Sequence, residues 1–233
     1  MLRASLERIN ALSDDALVLD VGGWAKPLPR ADWVIDLMPY ETRGAYGTEP
    51  GGPERFSAET WVERDICNRE PWPFEAGQFD FAVCSHTLED VRDPVGVCGE
   101  LVRVARAGYI EVPSRVAEQS VGMQGAIAGW SHHRWLVDTR EGGIDFVMKP
   151  HMIHAHPEFQ LPHGFGRSLP PEEQVQWLWW EGSFEYGERV FVGAGSMHEF
   201  LLEPVNAYGQ AAGGRHGRPR GVAARLRRRL GAR

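Results

Sequence analysis

The chain has 233 residues, 42% hydrophobic and 24% charged, the make-up of a globular protein with one sizeable core. Its net charge of −7 averages two opposed parts: eight of the 25 basic residues and none of the 32 acids fall in residues 215–233, which leaves the preceding residues at −15. An acidic body argues against a nucleic-acid-binding domain, and no apolar run approaches the roughly 20 residues that span a bilayer. The first seven residues lack the apolar stretch of a secretory signal. Cys67, Cys84 and Cys98 show no paired spacing, which fits a reducing cytoplasm and neither a disulfide framework nor a structural zinc site. The basic residues are two lysines, Lys26 and Lys149, beside 23 arginines.

Leu2, Leu6, Ile9 and Leu12 are near helical spacing and predict a short amphipathic helix over residues 1–13. Residues 16–21 form an apolar run with one acid, Asp20, as expected of a buried parallel strand, and Gly22-Gly23 ends it. A second strand is predicted over 32–36, ending in Asp36. Residues 41–60, rich in Gly and Glu, read as a long loop or lid. Weaker strand character over 61–66 precedes a clear strand over 79–84. Asp93-Pro94 opens a helix that reaches about Val104, with Pro in its first turn. A fifth strand spans 108–113. Strands alternating with crossovers imply an α/β fold on a mostly parallel sheet.

The second half differs. Residues 115–200 are rich in Trp and His, with hairpin-like stretches at 144–149 and 189–202, and are expected to complete the sheet with an antiparallel hairpin at one edge. Residues 209–221 read as a flexible linker. Val222, Leu226 and Leu230 then share one face of a basic helix, a pattern suited to an anionic membrane surface. The expected organisation is one domain over 1–208, with a cofactor-binding core at 16–114 and an acceptor-side elaboration at 115–208. A linker and basic tail occupy 209–233.

Acids and glycines stand at successive strand ends: Asp20, Gly22 and Gly23, then Asp36, then Asp65, then Ser85-His86. In an open parallel sheet these ends line the ligand crevice. Acids there suit the hydroxyls of a nucleoside, whereas a dinucleotide would bring its pyrophosphate against them, and Gly-x-Gly-x-x-Gly is absent. Read in order, Val18-Leu19-Asp20-Val21-Gly22-Gly23, Pro29-Arg30-Ala31-Asp32 with Asp36, and residues 79–91 (Phe-Asp-Phe-Ala-Val-Cys-Ser-His-Thr-Leu-Glu-Asp-Val) make a specific set. Asp93-Pro94, Glu100-Leu101-Val102-Arg103-Val104 and residues 108–114 (Gly-Tyr-Ile-Glu-Val-Pro-Ser) continue it. The chain thereby resembles the class I S-adenosylmethionine-dependent methyltransferases over residues 16–150, whose fold is Rossmann-like. The resemblance implies that Asp20, Gly22 and Gly23 hold the amino-acid end of S-adenosylmethionine. It further implies that Asp36 takes the ribose hydroxyls with Leu37 beside the adenine, that Asp65 and Ile66 meet the adenine, and that Ser85 and His86 line the floor by the sulfonium. One departure is plain: Trp24-Ala25-Lys26-Pro27-Leu28-Pro29 follows the glycines, and its two prolines exclude an ordinary first helix.

Methyl transfer to oxygen or nitrogen calls for a base, by default His. The candidates are His133 and His132 in Trp130-Ser131-His132-His133-Arg134-Trp135, His86, and Glu111. The Glu-x-Pro-Ser and His-Arg-Trp words also resemble a methyltransferase subgroup, which implies a His and Trp pair over the cofactor pocket. His132, His133, His151, His154, His156 and His163 form a cluster in which a strand would put His154 and His156 on one face, but without a Cys pattern or a His-Glu-x-x-His helix, no metal is expected. Trp177-Leu178-Trp179-Trp180 suits a packing cluster better than a sugar platform. The expected function is O- or N-methylation of a small molecule or glycan in the cytoplasm, as in bacterial natural-product or glycan biosynthesis, with peripheral membrane contact through the tail. Alternatives are a metal-assisted methyltransferase and a non-catalytic S-adenosylmethionine-binding scaffold.

Overall fold

The computed structural model describes residues 1–213. The basic tail and most of the predicted linker lie outside the described residues, although the first linker residues, up to Gly213, are helical. In chain order the elements begin with α1 (Arg3–Asn10), β1 (Val18–Val21), β2 (Trp33–Asp36), β3 (Trp61–Glu63) and β4 (Phe81–Ser85). They continue with α2 (Pro94–Val104), β5 (Ala107–Pro113), α3 (Arg115–Gln119), β6 (Val121–Gln124) and β7 (Ile127–Ala128). A hairpin of β8 (Trp135–Arg140) and β9 (Gly143–Met148) follows, then the short helices α4 (Met152–Ala155), α5 (Phe165–Ser168) and α6 (Pro171–Gln174). The last elements are β10 (Val175–Glu181), β11 (Glu185–Glu188) and α7 (Ala194–Gly213). Two compact units result, one of residues 1–112 with 177–186, the other of 113–176 with the described residues from 187 to 213.

The first unit is built on a six-stranded sheet in the order β10-β5-β4-β1-β2-β3. The apolar run at 18–21 sits at its centre and is buried throughout, pairing in parallel with β2 (Leu19 to Trp33) and with β4 (Val18 to Phe81). β3 and β5 extend the parallel array on either side. The expected mostly parallel α/β sheet is therefore present, and its antiparallel edge is one strand. The Gly182 amide reaches the Arg106 carbonyl at the start of β5, so β10 runs opposite to its neighbour. Leu6 and Ile9 of α1 pack on Val18, Val34, Phe81 and Tyr109 in one core. Trp179 joins them at 4.5 Å from the Tyr109 ring, with the Arg8 guanidinium 3.9 Å above its own ring. This is the packing role that the Trp run suggested.

In the second unit residues 113–120 are buried without interruption. α3 is consequently buried on all sides although three of its five residues are polar, and each of those is hydrogen-bonded, as burial requires. Arg115 reaches Asp138, Glu203 and the Phe200 carbonyl. The Gln119 amide donates to the carbonyls of Phe159 and Leu201 at 2.8 Å each.

Two local expectations are corrected here. The hairpin expected over 189–202 is replaced from Ala194 by α7, because Met197, Phe200 and Leu201 fall at helical spacing and put Phe200 and Leu201 in the core of the second unit. His154 lies in α4 and His156 just beyond it, both exposed, so they share no strand face. The shared strand face expected for these two histidines is therefore absent.

The close approach of β4, β5 and β10 depends on Gly108. A Cβ there would lie 2.5 Å from the Ala82 carbonyl oxygen and 2.6 Å from the Trp180 ring. Gly108→Ala is expected to destabilise the protein by about 1–3 kcal/mol, the usual cost of overpacking, read as a lower midpoint in urea unfolding; an unchanged midpoint would contradict the packing described.

Candidate active site

The segment between β1 and β2 contains no helix, as its prolines predicted. Two carboxylates replace the missing helical ladder. Asp20 Oδ2 accepts the Leu28 amide at 2.9 Å, and Asp36 accepts the Trp24 amide at 3.0 Å and the Met38 amide at 2.8 Å. Arg30, itself buried, ties the end of the segment to the Ser13 and Ala16 carbonyls and to Asp32. Both glycines are required. Gly22 has φ +77°, and a Cβ on it would overlap the Thr87 side chain; a Cβ on Gly23 would overlap the Asp20 carboxylate. Thr87 is a residue the sequence reading passed over, and it meets Val21 from the β4 side.

Burial raises Asp20 to a pKa of about 7, against the opposing Leu28 hydrogen bond and with help from the nearby Asp36 and Glu49 charges. Burial also raises Asp36, while the amides of Met38 and Trp24 hold it down. Leu37 beside it is 63% exposed. Asp65 sits on the surface side of this row, in an ion pair with Arg92 at 2.5 Å and capped by the Cys67 amide. Despite the cost of its partial burial, those contacts lower its pKa. Ile66 is buried, and its carbonyl accepts the Trp72 indole N–H at 3.0 Å.

At the end of β4, Ser85 pairs with Glu111 of β5, and the chain turns at His86 with φ +53°. That left-handed conformation is uncommon for a side-chain-bearing residue. Two buried carboxylates fix it: His86 Nδ1 is 3.4 Å from Glu89 and Nε2 is 3.2 Å from Glu111. Desolvation works against the charged imidazole, but the hydrogen bonds and charges of Glu111 and Glu89 outweigh it and raise His86 to about 9. Glu111 in turn overcomes its own burial through His86 and through the Tyr109 hydroxyl at 2.5 Å, falling to about 2. Neither group accepts a proton at neutral pH. The two candidates His86 and Glu111 thus form a fixed ion cluster rather than a base.

His133 and His132 belong to the second unit. The His133 ring stacks on Trp130 at 4.8 Å and meets the His132 ring edge-on at 4.6 Å. Its Nδ1 is hydrogen-bonded to the buried Glu118. Lys149 donates to the other Glu118 oxygen at 2.6 Å and to the Trp130 carbonyl at 3.0 Å. Sequence reading missed Glu118 and Lys149. The one signal available was a lysine kept in a chain that otherwise uses arginine.

Because the folded His86 titrates near 9 and the unfolded one near 6.5, its contribution to stability is complete below about pH 6.5 and is lost as pH rises through 9. His86→Asn keeps the left-handed turn but removes the charge. The wild type is expected to lose about 1 kcal/mol over this alkaline range after allowance for the exposure of the ring, and the variant none; parallel curves in chemical denaturation would contradict the ion cluster.

No curated protein matches the chain. Among solved structures, a candidate methyltransferase from Bacillus halodurans is 22% identical, with a TM-score of 0.35, over 48% of this chain and 50% of that one. An S-adenosylmethionine-dependent methyltransferase from Aquifex aeolicus is 18% identical, TM-score 0.31, over 48% and 64%. One from Mesorhizobium loti is 13% identical, TM-score 0.34, over 63% and 62%. The chain thus spans between half and two thirds of the length of these structures. Residues 35–110 match the family model of a methyltransferase domain. That match begins within β2 and ends within β5, so it takes in the β4 edge with its His86 cluster, and over this stretch the chain is similar to a methyltransferase domain.

Proposed function

We propose that the protein transfers a methyl group from S-adenosylmethionine to an oxygen or nitrogen of a small molecule or glycan, with His133 as general base. The observation that carries the reading is the pair of turn-holding carboxylates at the ends of β1 and β2, beside two glycines that have no room for a side chain. These residues fit the cofactor. Asp20, buried and short of compensating charge, suits a cationic amino-acid end, and the Gly22-Gly23 backbone admits close approach. Asp36 retains acceptor capacity for ribose hydroxyls, since an ionised carboxylate accepts about four hydrogen bonds. Leu37 offers an exposed apolar surface for a ring.

When bound, S-adenosylmethionine supplies an electrophilic methyl on a sulfonium; the chain's own residues bind, orient and move the proton. His86 cannot take that proton at neutral pH, because Glu89 and Glu111 hold it charged. Its task is to lock the β4 turn and balance two buried acids. His133 is the remaining candidate with a built environment, stacked on Trp130 and anchored by Glu118. Asp65 and Ile66 complete the adenine side of the proposal, with Arg92 holding Asp65 ionised.

Calorimetry with S-adenosylmethionine and with its demethylated product tests the pocket, and absence of binding removes the reading. Since a cationic ligand favours ionised Asp20, affinity is expected to fall about tenfold between pH 8 and pH 6. Asp20→Asn, which still accepts the Leu28 amide, is expected to bind more weakly and to lose that slope; an identical slope in the variant would separate Asp20 from the ligand.

The base is tested by release of demethylated product over panels of phenols, amines and sugars. His133→Ala is expected to leave cofactor affinity intact and to lower turnover by about 10²–10⁴-fold, the usual worth of a positioned base. Undiminished turnover would end the assignment. Tight binding without turnover on any acceptor class would favour a non-catalytic binding protein.

A further inference from the structure

We infer that Lys26 receives the carboxylate of the amino-acid end of S-adenosylmethionine, and that Glu49 is the residue that positions its ammonium for this. The inference rests on the reading of the β1 and β2 ends as the cofactor pocket. It names the residues that make this pocket prefer a zwitterionic end to a purely cationic one.

Charge sets the requirement. The amino-acid end carries an ammonium and a carboxylate together. Asp20 suits the first, but the second would face a group of acids, since Asp36 and Glu49 are near enough to Asp20 for their charges to help raise it. Like charges at such range repel unless a cation stands between them. Four basic residues occur between Gly22 and Phe56: Lys26, Arg30, Arg43 and Arg55. Arg30 is buried and bonded to the Ser13 and Ala16 carbonyls and to Asp32, and Arg55 is bonded to Asp14. Residues 13–16 precede β1, so both guanidiniums are drawn to the end of that strand opposite Gly22. Arg43 is bonded to Glu54 and the Tyr40 carbonyl, and its guanidinium lies 3.8 Å over the Tyr40 ring. Lys26 remains. Its ammonium is 3.2 Å from Glu49, and its side chain is 45% exposed. An ammonium has three donors, so the contact with Glu49 leaves it able to meet a second carboxylate.

The backbone around Lys26 is held for this task. Pro27 disfavours the helical conformation at the residue before it. The carbonyls that a helix would have satisfied are taken instead by a strap, residues 44–55, that follows β2. The amides of Gly44, Tyr46, Glu49 and Arg55 donate to the carbonyls of Trp24, Ala25, Pro27 and Pro29 at distances between 2.8 and 3.0 Å. Two of these bonds, Tyr46 to Ala25 and Glu49 to Pro27, stand on either side of Lys26. The second brings in Glu49 itself, whose side chain is buried and also meets the Met1 ammonium at 3.1 Å. One ladder thus fixes both the backbone under Lys26 and the carboxylate beside it. It does so in the same turn whose amides are held by Asp20 and Asp36.

Calorimetry of the full chain with S-adenosylmethionine and with its decarboxylated analogue tests the assignment, because the analogue keeps the nucleoside, the sulfonium and the ammonium. Lys26→Met, which keeps an apolar stem, is expected to lower affinity for S-adenosylmethionine about tenfold, the worth of a charge-assisted hydrogen bond at a half-exposed site. Affinity for the analogue is expected to stay the same or rise, since a cation has been removed from beside a cationic ligand. Lys26→Arg is expected to keep most of the affinity for S-adenosylmethionine. Glu49→Gln is expected to give a smaller loss than Lys26→Met, again confined to the ligand with the carboxylate. If Lys26→Met fails to fold, the double variant Lys26→Met with Glu49→Gln, which leaves no unpaired acid there, carries the same comparison. An equal loss for both ligands, or an unchanged affinity for S-adenosylmethionine, would overturn the inference. A wild-type chain that binds neither ligand would instead overturn the cofactor pocket on which the inference rests, so the two failures are distinguishable.

Discussion

The parallel sheet depends on how its first crossover is closed without a helix. An ordinary crossover satisfies its own amides along a helical ladder. The proline-bearing segment after Gly23 cannot, and the carboxylates of Asp20 and Asp36 take the Leu28 and Trp24 amides instead. Burying two acids for this purpose has an electrostatic consequence: desolvation raises both, and Asp20, with a smaller push from the Asp36 charge, reaches a pKa of about 7. The same groups that shape the turn are therefore short of positive charge.

Histidines in the two units show how neighbouring charge decides the role of one residue type. His86, between Glu89 and Glu111, is a fixed cation that braces a left-handed turn. His133 shares one acid with Lys149 and stacks on Trp130. Roles assigned to histidines from motif words alone would treat the two alike.

The sequence was most legible where local rules and burial agree. The run at 18–21, the Asp93-Pro94 helix start and the helix-less segment after Gly23 all appear as read, because apolar continuity, N-capping and proline each act over a few residues. Residues 189–202 misled because their apolar residues alternate loosely enough to suit a strand, while the core of the second unit takes Phe200 and Leu201 at helical spacing. Strand-end acids were visible as a row, but which of them are held by the chain itself was not. Glu118 was invisible for a stronger reason: its partners are 15 and 31 residues away, and no periodicity marks a five-residue helix buried on every side.

The sheet's outermost strand reaches its place late. β5 ends at Pro113, yet β10, which covers its free edge, begins only at Val175, after the bulk of the second unit has been threaded between them. As the chain emerges during synthesis, β5 waits with an unpaired row of amides and carbonyls until more than sixty further residues have appeared. The last antiparallel pairing is also the one with the longest loop to close, and so with the greatest entropic delay within the sheet. A nascent chain of this protein thus carries a sticky edge for the whole interval in which its second unit is being made.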